Sequence, residues 1–338
     1  AGLMKWYPWL RPSFEHLISQ HQAGRGHHAL LIHAQPGMGD DALIYALGRW
    51  LMCQQPDGFK SCNVCRSCQL MQAGTHPDHY RIEPEKGKAS LGIDAVRDVS
   101  EKLYEHARLG GAKVVWIADA ALLTDAAANA LLKTLEEPPE NTWFLLGCHA
   151  PENLLPTLRS RCFYWHIPVP EERYAQAWLA REKSATPDEL KAALRLSGGA
   201  PAAALTLLED DARAARQQLC TALGDALSRR DFLALLAGLN HDSAAMRLYW
   251  LSTLLLDALK WQQGAARWLA NADQQPLVEQ LAAGLSLPQL QNFLHSLFRT
   301  REQLLRVAGV NRELLLTDLL LSWEQMLTSD APRPTYHL

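Results

Sequence analysis

Residues 28–51 read His28-Ala29-Leu30-Leu31-Ile32-His33-Ala34, then Gln35-Pro36-Gly37-Met38-Gly39-Asp40-Asp41, then Ala42-Leu43-Ile44-Tyr45-Ala46-Leu47-Gly48-Arg49-Trp50-Leu51. The first seven form an apolar run of strand length, the middle seven a glycine turn, and the last ten carry apolar residues at helical spacing. Strand, turn and helix in that order are the setting of a phosphate-binding loop. A working loop places lysine and then serine or threonine after its last glycine, so that an ammonium meets the polyphosphate and a hydroxyl meets Mg²⁺. Asp40 and Asp41 stand there instead, and Ala34 replaces the opening glycine. Exchanging a cation for a carboxylate beside phosphate turns attraction into repulsion worth several kcal/mol. Taken alone, Gly37 and Gly39 also fit an ordinary tight turn leading into a helix.

The same alternation continues outward. Strand-like runs at 28–34, 80–82, 114–118, 142–146 and 163–167 are separated by helical segments, among them 124–137, which Pro138-Pro139 stops. This predicts an α/β region with a largely parallel sheet. The run Lys113-Val114-Val115-Trp116-Ile117-Ala118-Asp119 has the form of the strand that ends in paired acids for Mg²⁺ and water activation. Ala118 occupies the metal-binding slot, and Asp119 stands where a catalytic glutamate is expected. Beyond Pro168 and Pro170 strand signals vanish, and a domain boundary is expected there. Thr186-Pro187-Asp188-Glu189 has the residues of a capping box, and a second break is expected near Glu209-Asp210-Asp211. Leucine-rich helical segments at 244–259 and 311–327 follow.

Cys53, Cys62, Cys65 and Cys68 bring four thiols within sixteen residues, with two Cys-x-x-Cys steps that let the sulfurs converge tetrahedrally. Structural zinc is the first reading, since the set is closed and leaves no position for water. An iron–sulfur cluster and four unrelated thiols are the alternatives. Cys148, Cys162 and Cys220 read as small buried apolar residues.

Composition sets the bounds. A chain of 338 residues, 48% hydrophobic and 20% charged, is long enough for two or three domains. No apolar stretch reaches membrane-spanning length. A net charge of −3 leaves any contact with DNA local or shared with partners. Met4 is the expected natural start, with Ala1-Gly2-Leu3 a remnant before it and no secretion core after it, so a cytoplasmic protein is expected.

Asn129-Ala130-Leu131-Leu132-Lys133-Thr134-Leu135-Glu136-Glu137-Pro138-Pro139, with Leu158-Arg159-Ser160-Arg161-Cys162 after it, resembles the clamp-loader branch of the AAA+ superfamily, in the group serving bacterial DNA polymerase III. Residues 6–10, the 35–39 turn, the four cysteines and Ala73-Gly74-Thr75-His76-Pro77-Asp78 carry the same resemblance. It implies an AAA+-type P-loop NTPase-like α/β domain at 1–167 with a zinc-binding insertion at about 53–68. A helical lid at 168–209 and an all-α collar domain at 210–338 would follow. It further implies that Arg161, flanked by Ser160 and Cys162, is an arginine finger reaching the γ-phosphate of ATP on a neighbour, with Arg159 a substitute. The lid arginine of the family falls at Ala202. With the lysine, the metal acid and the lid arginine all absent, no ATP and no intrinsic ATPase are expected. The implied partners are gamma/tau and delta subunits, with the sliding clamp and primed DNA reached through the assembly. An independently active ATPase and a zinc-dependent DNA-binding module are the competing readings.

Overall fold

The structure is a computed structural model that describes residues 4–328; the expectation for Ala1-Gly2-Leu3 lies outside them, as do the last ten residues of the expected collar domain. The chain separates into two compact units, the first ending at Pro170 and the second beginning at Glu171.

The first unit is built on five parallel strands: β1 (Ala29–His33), β2 (His79–Ile82), β3 (Lys113–Ile117), β4 (Thr142–Cys148) and β5 (Phe163–His166), in the spatial order β2-β3-β4-β1-β5. All five fall on the runs expected from sequence. Helix α1 (Arg11–Gln22) precedes β1, and α2 (Asp40–Met52), α3 (Arg66–Ala73), α4 (Ile93–Leu103), α5 (Asp125–Glu136) and α6 (Pro156–Arg161) lie between the strands along the chain. Every residue of β3 is buried. That explains its continuous apolar run, because a parallel strand covered on both faces has no solvent side to alternate with. Lys113, its one charged residue, donates from Nζ to the Leu103 and Glu105 carbonyls at the end of α4, which satisfies a buried ammonium. Gly147 marks a close approach of two strand ends: a Cβ there would lie 2.6 Å from the Ala118 carbonyl oxygen.

The second unit is helical: α7 (Glu172–Glu182), α8 (Pro187–Leu196), α9 (Pro201–Leu207), α10 (Asp210–Arg229), the one-turn α11 (Leu236–Leu239), α12 (Ala244–Gln262), α13 (Gln275–Gly284), α14 (Leu287–Arg306) and α15 (Arg312–Thr328). Thr186 forms the expected capping box with Glu189, and Ser286 forms another with Gln289. Phe232, Phe293 and Trp323, all fully buried, pack ring on ring at the centre of its core. Buried Asp257 on α12 accepts hydrogen bonds from the Ala270 and Asn271 amides and from the Asn271 side chain. Arg216 on α10 grips Asp273 through two bonds of 2.7 and 2.9 Å. Among the described residues no helix is long and apolar enough to cross a membrane.

Candidate functional site

The turn after β1 joins that strand to α2 through two glycines. Gly37 and Gly39 sit at φ +89° and +72°, a region that side chains strain to enter, and Gly39 is the residue from which α2 springs. Asp40, the next residue, is buried at 6% exposure, while Asp41 points to solvent. Burial pushes the Asp40 carboxyl above the usual carboxylate range, and Asp41 and Asp119 push it the same way; His149 and the residue's own amide oppose them. As a carboxylate it repels a phosphate, and as a neutral acid it brings no positive charge to one.

The surrounding positions are committed elsewhere. Asp119 spends its carboxylate on the Ala121 amide at 3.0 Å, capping the short turn Ala120–Leu122. Ala118, half-buried, has no side chain with which to hold a metal. His149, just after β4, donates from Nδ1 to the Ala34 carbonyl at 2.8 Å. An aromatic clasp holds the loop from the other direction. Trp9 donates its indole N–H to the Met38 carbonyl at 2.8 Å, Tyr7 stacks on Trp9 with centroids 4.7 Å apart, and a Cβ on Gly39 would overlap the Tyr7 ring. This clasp and His149 are contacts that sequence reading missed. The aromatic Tyr7-Pro8-Trp9 start was a visible signal, but its partner lies 29 residues downstream.

Arg161 ends α6 and is 55% exposed, with Nη2 3.4 Å from Glu136 Oε1 on α5. Ser160 turns its hydroxyl back to the Thr157 carbonyl, and burial pushes the Cys162 thiol up to about 12, so neither is poised to react. Arg159 is exposed, two residues earlier on the same helix. Ala202 lies half-buried on α9, in the second unit.

The four cysteines do converge. Cys53 closes α2, Cys65 caps α3, and the four sulfurs lie within 4.8 Å of one another. Tetrahedral coordination with metal–sulfur bonds of about 2.3 Å puts sulfurs roughly 3.8 Å apart; Cys62 and Cys68 stand 3.9 Å apart. Backbone amides of Cys62, Cys65 and Cys68 donate to the sulfurs of Cys53, Cys62 and Cys65. Such amides favour thiolate, and those of Val64 and Cys65 bring Cys62 down to about 6. The donor set therefore fits a tetrahedral metal ion. Around it, Trp50 and Gln22 donate to the Gly58 carbonyl, tying the insertion to α2 and α1.

The parallel five-stranded unit with a glycine turn after its first strand, followed by helices alone, defines the class: an AAA+-type fold. Residues 10–171 match the family described as DNA polymerase III, delta subunit; residues 170–209 match the DNA polymerase III subunit delta' AAA+ ATPase lid domain; and residues 210–325 match the DNA polymerase III, delta subunit, C terminal. The DNA polymerase III subunit delta' of Escherichia coli is 61% identical, covering 99% of this chain and 100% of that protein. That of Yersinia pestis is 58% identical, covering 96% and 97%. A DNA polymerase III subunit gamma/tau from Mycobacterium bovis is 30% identical over 192 residues, 55% of this chain and 33% of that protein. The chain belongs to the family of DNA polymerase III delta-prime subunits.

Proposed function

We propose that this chain is the non-hydrolysing delta-prime member of a clamp loader, which supports gamma/tau and delta subunits while they place a sliding clamp on primed DNA. The observation that carries this reading is Asp40, a buried carboxylic acid where a phosphate-binding lysine is needed. At about 4 Å and an effective dielectric near 20, a lysine would contribute about 4 kcal/mol of attraction per phosphate charge, all of which is lost. Ala118 and Ala202 remove the metal acid and the lid arginine, and the Tyr7–Trp9 clasp occupies the loop's flank.

In its place the chain offers Arg161 to a neighbouring gamma/tau subunit. A guanidinium stays charged at all physiological pH values and forks onto phosphate oxygens, so it stabilises charge that builds up as the γ-phosphate departs. The bond to Glu136 between two half-exposed side chains is weak enough to exchange for a phosphate. Zinc at Cys53, Cys62, Cys65 and Cys68 is structural in this reading, and it would hold the α2–α3 connection closed. Domains at 1–167, 168–209 and 210–338 serve as ATPase-like base, lid and collar, in a cytoplasmic assembly.

Two measurements test the proposal. Arg161→Ala in the reconstituted assembly lowers DNA- and clamp-stimulated ATP turnover while assembly persists; unchanged turnover rejects the finger. Titration of the full chain with labelled ATP gives no micromolar binding; saturation in that range would favour an independent ATPase.

A further inference from the structure

Arg49 lies in the last turn of α2 and touches the four-cysteine cluster from two directions. Its carbonyl accepts the Cys53 amide at 2.9 Å, where the helix ends and the first thiol is presented. Its side chain reaches the far part of the insertion, where Nη2 donates to Asn63 Oδ1 in the step between Cys62 and Cys65. Asn63 holds φ +62°, a left-handed angle that asparagine tolerates better than most side chains. At that angle the chain doubles back, and the Cys65 amide reaches the Cys62 sulfur at 3.2 Å. The other ties of the insertion, from Trp50 and Gln22, end on the Gly58 carbonyl and so lie outside this turn. The guanidinium has few other commitments. It lies 5.8 Å from the centroid of the Tyr45 ring, its Nε is buried without a hydrogen-bond partner, and among the described residues it forms no ion pair. A cation in a last helical turn also suits the helix dipole, but that attraction does not require the side chain to end on one asparagine.

We propose that Arg49 is a positioning residue for the metal: acting through Asn63, it fixes the turn between Cys62 and Cys65 and sets positive charge beside the thiolates. The role rests on the metal reading of the four cysteines. Four thiolates around a divalent ion leave an excess of negative charge. A guanidinium with no carboxylate of its own, bonded to the residue after Cys62, offsets part of that excess. Partners that orient a ligand without binding the ion themselves are worth about 10–100-fold in metal affinity. Lysine is no equivalent here, because a single ammonium on a flexible stem does not keep the planar guanidinium's place between the Tyr45 ring and Asn63.

The test measures zinc affinity of the full chain by competition with a chromophoric chelator, and the visible spectrum of the chain loaded with cobalt(II). It compares the parent with Arg49→Met, Arg49→Lys, Asn63→Gly and the double variant Arg49→Met with Asn63→Gly. Glycine keeps the left-handed angle and removes the Oδ1 acceptor. Arg49→Met and Asn63→Gly should each weaken zinc about ten-fold and alter the ligand-field bands of cobalt. Together they should cost little more than either alone, because both break one contact. Arg49→Lys should leave most of the loss in place. Zinc affinities of both single variants within about two-fold of the parent would overturn the role. So would a double variant weakened by the product of the two single losses, since the residues would then act separately. Full recovery by Arg49→Lys would also overturn it, by assigning the effect to charge at the end of α2. A parent that takes up neither zinc nor cobalt overturns the metal reading itself, and with it the role of Arg49.

Discussion

Gly39→Ala should destabilise the first unit by more than its backbone angle explains. Placing any side chain at φ +72° costs about 1–2 kcal/mol. At this position the new methyl group also meets the Tyr7 ring, and that ring cannot swing away freely. It is stacked on Trp9, whose indole is fixed to the Met38 carbonyl. Losing the stack forfeits about 0.5–1.5 kcal/mol, and straining the hydrogen bond about 0.5–1.5 more. The total is about 2–5 kcal/mol. Gly110 provides the control: its φ is +73°, yet a Cβ there meets nothing within 4 Å. Gly110→Ala should therefore cost only the backbone part. In calorimetry of the full chain, Gly39→Ala should melt several degrees below Gly110→Ala, since each kcal/mol is worth roughly 2–4 °C in a unit of this size. Adding Tyr7→Ala to Gly39→Ala should cost less than the sum of the two single changes, because both disturb one contact. Equal melting of the two alanine variants would refute the clasp.

The four-cysteine cluster makes a sharper prediction: if it holds zinc as proposed, Cys65→Ala should abolish zinc binding measured by atomic emission. It should also cost about 1 kcal/mol at the start of α3, where Cys65 accepts the Cys68 amide; zinc retained at parental stoichiometry would argue against a four-thiolate site. His79 bears on pH, because burial holds it at about 4 in the folded chain against about 6.5 unfolded. The unfolded state then binds the extra proton between these values, so stability is complete above pH 6.5 and falls by up to about 1.4 kcal/mol per pH unit down to about pH 4. Urea midpoints across that range should flatten in His79→Gln, and an unchanged slope would place the acid sensitivity elsewhere. Asp257→Ala strands the Ala270 and Asn271 amides without their acceptor, at about 1–3 kcal/mol each, and should lower the urea midpoint of the helical unit; a midpoint within error of the parent would mean that water replaces the carboxylate.

What could be read from sequence was local. The five strands were legible because each is a short apolar run between breakers, and the capping box at Thr186 because its partners are three residues apart. The cysteines were legible for the same reason. What escaped joins distant segments: Trp9 to Met38, Arg161 to Glu136, His149 to Ala34. No periodicity marks such pairs, since each partner is decided by how strands stack rather than by neighbours in the chain.

The ring against Gly39 bears on how a glycine motif is interpreted. A residue that must be small so that phosphate can draw near is here required to be small for an aromatic side chain of the same polypeptide. Demand for glycine at this turn is thus set by the protein's own packing, and a pattern search that counts glycines reports the turn whether or not a phosphate binds there. A lysine placed at position 40 would meet the same packed turn, which carries part of the stability of the unit around it.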